Sequence, residues 1–133
     1  MTGGTGPRVG CGAAILDGNR LLLVKRLRDP EAGHWGLPGG KVDWMEPVPA
    51  AVCREIEEEL GIRITLDRLL CVADHIDPAR GDHWVAPVYL AHVVEGTPVV
   101  REPQALAAAG WFPLDGLPDP LTLATRIAIE ALA

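Results

Sequence analysis

Aromatic side chains are scarce in this 133-residue chain: four Trp, one Tyr and one Phe. A core must therefore be filled by Val, Leu, Ile and Ala, and an apolar fraction of 48% supplies enough of them for one domain over residues 1–133. Cations are also in deficit. Twelve Lys and Arg against eighteen Asp and Glu leave a formal net charge of −6. That excludes a general binder of nucleic-acid polymers, whose phosphates call for a basic face. A small anionic ligand stays open, because a bound metal can bring the positive charge. Cysteine is limited to Cys11, Cys53 and Cys71, an odd count with no CxxC spacing. Three reduced thiols, mostly buried, are expected. No stretch reaches the ~20 apolar residues that span a bilayer, and MTGGTGPRVG lacks the apolar run of a signal peptide. A cytoplasmic protein without a membrane partner is expected.

What is present has a clear order. Residues 1–8 are Gly- and Thr-rich and read as a loose tail. Val9 to Leu16 and Arg20 to Arg26 read as strands, joined as a hairpin by the turn signal Asp17-Gly18-Asn19. Residues 27–35 and the GLPGG stretch 36–40 read as loops. From about Pro47 to Leu60 the pattern is helical: Val48, Val52, Ile56 and Leu60 recur on one side, and Gly61 is a stop. Leu66 to Asp74 and Trp84 to Val94 read as strands, with 75–83 as their link. Residues 95–120 carry five prolines, an Ala-rich patch at 105–109 and a short strand at Trp111-Phe112. Leu121 to Leu132 closes the chain as a helix. Strands, helix, strands, helix is the order of a mixed sheet packed between helices.

The chemistry concentrates in GKVDWMEPVPAAVCREIEEELGI, residues 40–62. At 100° per residue, Glu55, Glu58 and Glu59 share one arc of the helix, Arg54 borders it, and Glu57 points into water. Like charges at these spacings repel by roughly 0.2–0.5 kcal/mol per pair even in solvent, and by more near a core. One guanidinium cannot neutralise three carboxylates; a hard divalent cation can. An all-oxygen set without His or Cys selects Mg²⁺, with Mn²⁺ as a substitute, over zinc. Gly39 and Gly40, stiffened by Pro38, allow a backbone to approach that face closely.

This segment resembles the Nudix box, G-x5-E-x7-R-E-U-x-E-E-x-G-U with U a bulky aliphatic. Gly40, Glu46, Arg54, Glu55, Ile56, Glu58, Glu59, Gly61 and Ile62 fill every fixed position. An acidic helix alone is usually a solvated face. Seven single-residue matches at roughly 6% usage arise by chance on the order of once in 10⁸ starts. LLLVKR, GHWGLPGGKV and GWFPLDGLP extend the likeness over most of the chain. The resemblance implies an α/β/α sandwich with a mixed sheet between helices. It implies Mg²⁺ held by Glu55, Glu58, Glu59 and the Gly40 carbonyl, with Arg54 orienting the glutamates and Glu46 supporting the loop. It also implies water attack on phosphorus in a nucleoside diphosphate-linked substrate. Dimers are common among relatives, so a homodimer is a candidate state.

Three departures stand out. Met45 replaces a Gly that relatives often carry before the Glu46 position, and Pro47 and Pro49 sit where the helix starts. MutT-like relatives place a further acid before the late tryptophan, here Trp111, where this chain has ALAAAG. The general base is therefore Glu102, Glu46 or a helix glutamate. Outside the box, Arg26 is a candidate for phosphate, and Trp35, His83 and Trp84 for the nucleobase, because flat rings stack on bases. His75 and His92 read as ordinary strand residues and Trp111 as core. The leading activity is hydrolysis of a (deoxy)nucleoside triphosphate to monophosphate and pyrophosphate. Alternatives are an ADP-ribose or nucleotide-sugar pyrophosphatase, for which Pro78 is suggestive, and a non-catalytic nucleotide sensor.

Overall fold

The computed structural model describes residues 6–133. The expected tail lies outside that range for residues 1–5, and Arg8 already belongs to a strand. Elements follow as β1 (Arg8–Asp17), β2 (Arg20–Arg26), β3 (Trp35–Gly36), β4 (Gly39–Lys41), α1 (Val48–Leu60), β5 (Arg63–Asp77), β6 (Asp82–Glu95), β7 (Leu106–Pro113) and α2 (Leu123–Leu132). β1 organises the seven-stranded sheet. It pairs in parallel with β6 from Arg8 to Ile15 and antiparallel with β4 from Gly10 to Gly12, and its last two residues pair with β2. β2 in turn carries β7 on one edge and β3 on the other. β5 closes the far side by pairing along the whole of β6.

The apolar runs of β1 and β2 are continuous because both faces of the sheet are covered. Ala13, Ile15, Leu22 and Val24 pack with Val52, Ile56 and Leu60 under α1. Their neighbours Ala14, Leu21 and Leu23 pack with Ala128 under α2. One helix on each face is the sandwich that the element order implied. α1 starts with Pro47 at its N-cap and Pro49 in its first turn, where a missing N–H costs nothing. It stops at Gly61, whose φ of 69° is left-handed. α2 starts on Thr122, whose Oγ accepts from the Thr125 N–H at 3.3 Å.

Several boundaries differ from the sequence reading. The β1–β2 hairpin is present, but only Leu16↔Leu21 and Asp17↔Arg20 pair. The presumed loops at 27–40 contain the short strands β3 and β4. The presumed link 75–83 is mostly strand: His75 pairs with Trp84, Ile76 with His83 and Asp77 with Asp82, leaving a turn of four residues. The Ala-rich patch is β7, where Ala108 and Ala109 pair with Lys25 and Val24. In the last three cases a neighbouring strand recruits residues whose own propensity is weak.

Candidate active site

α1 and β4 meet at the site. A side chain on Gly40 would collide with the carboxylate of Glu55, and one on Gly39 with the carbonyl of Cys11. Two glycines therefore let strand and helix close on each other. Gly39 N–H donates to Glu59 Oε1 at 2.9 Å. Val42 N–H to Val9 O and Ala13 N–H to Pro38 O bracket the Cys11–Gly40 pair. That alternation turns the Gly40 carbonyl toward β1.

The carboxylates have distinct surroundings. Glu59 is 8% exposed, Glu55 half-buried, and Glu58 and Glu57 open to solvent. Burial pushes the Glu59 carboxyl up to about 8, opposed by the Gly39 N–H and reinforced by the charges of Glu55 and Glu102; Arg26 pulls the other way. Burial also raises Glu55, against the pull of Arg54. Glu102 acts on both glutamates from outside the helix. Among the described residues, no three His, Cys, Asp or Glu side chains already stand as a metal-holding group. Arg54 Nη1 engages both Glu55 (3.0 Å) and Glu58 (3.3 Å), while Glu59 turns to the Gly39 N–H.

Arg54 is the hub of this cluster. Its Nε and Nη2 donate to the two oxygens of Glu46 at 2.7 and 2.8 Å, a bidentate pair. Nη2 also donates to Lys41 O at 3.1 Å and lies 3.4 Å from Asp43. Glu46 in turn accepts from the Asp43 N–H at 3.1 Å. These bonds hold the Glu46 carboxyl down at about 2, Arg54 contributing most. The same contacts raise Arg54 further, Glu46 foremost. Met45 sits inside this knotted loop at φ 63°, a left-handed conformation that a Gly would take without strain. The loop's bonds to Arg54 hold it there.

A family model described as NUDIX domain matches residues 6–132. The chain belongs to the Nudix family. A solved MutT NUDIX hydrolase from Burkholderia pseudomallei is 67% identical, with a TM-score of 0.94 over 96% of this chain and 99% of that one. A CTP pyrophosphohydrolase of Escherichia coli is 36% identical over 90% of this chain and 87% of its own. An ADP-ribose pyrophosphatase of Methanocaldococcus jannaschii is 34% identical, covering 84% of this chain and 65% of that one. This protein is a Nudix hydrolase.

Within the Nudix frame the remaining candidates divide. Arg26 ends β2 beside Glu59 and spends its Nε on the Pro30 carbonyl at 2.9 Å. Trp35 packs edge-on against Phe112, centroids 5.0 Å apart, in the core under α2. His83 and Trp84 are successive residues of β6 and project to opposite faces, so they cannot share one pocket. Trp84 approaches the Gly40 carbonyl across Gly10, with the Arg8 guanidinium 5.5 Å over its ring. His75 lies in β5, 3.9 Å from Glu31. His92 pairs with Asp67 at 3.0 Å. Trp111 packs against the α1-side core. All three cysteines are free thiols, and burial raises each, Cys11 to about 11. No helix among the described residues is long and apolar enough to cross a membrane. Sequence reasoning missed the role of residues 99–101, which cross the end of α1; only a pairing some forty residues apart reveals it.

Proposed function

We propose that this Nudix hydrolase uses Mg²⁺ to split a phosphoanhydride bond in a nucleoside diphosphate-linked substrate. Its preferred substrate is a (deoxy)nucleoside triphosphate, cleaved to monophosphate and pyrophosphate. The observation that carries this is the close approach of the Gly39-Gly40 strand to Glu59 and Glu55, whose carboxyls burial raises and whose charges Glu102 reinforces. That donor set is all oxygen, as Mg²⁺ requires. Glu55, Glu58 and Glu59 would hold it, with the lone pair that the ladder leaves free on the Gly40 carbonyl. Bound there, Mg²⁺ supplies neutralisation of phosphate charge and a more acidic attacking water.

The chain's own groups do the rest. Arg54 fixes the orientation of Glu55 and Glu58. Glu46 is a poor base, because Arg54 occupies both its oxygens and holds it at about 2. Glu102 is better placed to take the proton, since its charge acts on both Glu55 and Glu59 from outside the box. Water adds to phosphorus, the bridging P–O bond breaks, and pyrophosphate leaves with the electron pair while Glu102 takes the proton. Trp84, whose ring shares the surroundings of Gly10 with the Gly40 carbonyl, offers an aromatic surface for a base. The test is a panel of nucleoside triphosphates, oxidised dGTP, ADP-ribose and nucleotide sugars, with products identified. Triphosphate cleavage to pyrophosphate, abolished by EDTA, is expected. Release of AMP and ribose 5-phosphate as the dominant reaction would instead support the ADP-ribose reading, which the archaeal relative's name favours.

The raised Glu59 carboxyl also gives a pH signature. Its folded value of about 8 exceeds the ordinary 4.5. A carboxyl shifted upward contributes stability below 4.5 that is lost as pH rises toward 8. The opposite effect from Glu46, between about 2 and 4.5, lies below this window. In EDTA the melting temperature should therefore fall from pH 5 to pH 8, and Mg²⁺ should raise it more at pH 8 than at pH 6. Scanning calorimetry that found no Mg²⁺ stabilisation at either pH would remove the metal assignment.

A further inference from the structure

Arg54 is the obvious cation to meet a substrate phosphate, and its bonding rules it out. A guanidinium has five N–H donors. Arg54 commits Nε to Glu46, Nη2 to Glu46 and the Lys41 carbonyl, and Nη1 to Glu55 and Glu58. No donor remains for a ligand. Some other cation must serve any phosphate that extends along α1.

The end of α1 supplies one. The last carbonyls of a helix lack partners within it. Here Glu59 O accepts from the Arg101 N–H at 2.8 Å and Leu60 O from the Val99 N–H at 3.1 Å. Residues 99–101 are thereby strapped across the helix terminus. Glu102 acts by its charge on Glu55 and Glu59, while the Arg101 guanidinium lies over Gly61, in the space any side chain there would fill. Among the described residues, the Arg101 side chain enters no hydrogen bond or ion pair. A cavity of about 410 Å³ opens between it and Arg54, Glu57 and Glu58. Positions 54, 58 and 61 climb one side of α1 over roughly 10 Å at 1.5 Å per residue. A phosphate chain engaged at the box carboxylates can therefore extend along this side as far as Arg101.

We propose that Arg101 binds the terminal phosphate of a nucleoside triphosphate and so sets a preference for triphosphates over diphosphate-linked substrates. This rests on reading the site as a pyrophosphohydrolase. A free guanidinium suits phosphate by its planar, paired donors. Glu57 and Glu58 on the rim repel an anion, so the subsite needs the divalent cation as well as Arg101. The Arg101 backbone is held to Glu59, which places the root of its side chain beside the reacting groups, and the leaving pyrophosphate carries the phosphate it binds.

The test compares wild type, R101A and R101K on a nucleoside triphosphate and the matching diphosphate. Calorimetric binding of an α,β-methylene triphosphate with Mg²⁺ is measured alongside. Loss of charged hydrogen bonds should raise KM and Kd for the triphosphate about tenfold in R101A. Its kcat should change little, the diphosphate should be barely affected, and R101K should recover part of the loss. Unchanged triphosphate KM and Kd in folded R101A overturns the proposal. Equal losses for triphosphate and diphosphate also overturn it, since they mark a general role at the helix end. If wild type turns over neither nucleotide, the pyrophosphohydrolase reading fails, while the calorimetric comparison still decides whether Arg101 binds the third phosphate.

Discussion

Glu59→Gln should lower kcat by about 10³-fold or more, the scale on which positioned charge and metal activation act, while leaving the fold at least as stable as wild type without Mg²⁺. The two halves of this expectation have one cause. Glu59 is buried, and burial raises its carboxyl to about 8. A charge there is costly unless a cation offsets it. Gln keeps the shape and can still accept from the Gly39 N–H, but it removes the charge. The variant should therefore lose the melting-temperature gain from Mg²⁺ along with turnover. Glu58→Gln should also cost several orders of magnitude in kcat, with less effect on stability, because Glu58 is solvent-exposed. Near-normal turnover in both variants would discard the carboxylates as cation ligands. Loss of activity with loss of folding in Glu59→Gln would mean that the charge itself is structural.

The box was legible in the sequence because its chemistry is local. Carboxylates at i, i+3 and i+4 share a helix face wherever that helix packs, and the two glycines stand where β4 must approach Glu55. The central strands were legible too, since a run buried on both faces needs no alternation. What escaped was set by partners outside each segment, some near in the chain and most far. His75 and Asp77 look like loop residues, yet pairing with Trp84 and Asp82 makes them strand. Ala108 and Ala109 have little strand preference, and only β2 beside them decides it. Trp35 read as a stacking candidate because its contact with Phe112, seventy-seven positions later, cannot be seen locally. The same blindness hid Arg101, whose position depends on two carbonyls at the end of α1. Conversely, Met45 was visible as a departure from the family pattern. The structure shows how it is accommodated: a left-handed φ held by the bonds around Glu46.

Arg54→Lys should reduce kcat by about 10²-fold, the scale expected when catalytic groups shift by about 1 Å, with KM changed less than about threefold. The asymmetry follows from where the donors go. Five N–H groups of Arg54 are shared among Glu46, Glu55, Glu58 and the Lys41 carbonyl. None is left for substrate, so its loss should not weaken ground-state binding directly. A lysine keeps the charge, but its three donors at one point cannot span both oxygens of Glu46 and also reach Glu55 and Glu58. The 43–46 loop would loosen from α1, and the two helix carboxylates would lose their fixed spacing. Glu46 would also lose most of what holds its carboxyl near 2. A group lowered in this way stabilises the fold above its ordinary value and loses that contribution as pH falls through the lowered one. Acid unfolding of Arg54→Lys should accordingly begin at higher pH than in wild type. Steady-state kinetics and an acid titration followed by circular dichroism check both parts. A large rise in KM with kcat intact would show that Arg54 touches substrate, and the division of labour between Arg54 and Arg101 would fall with it.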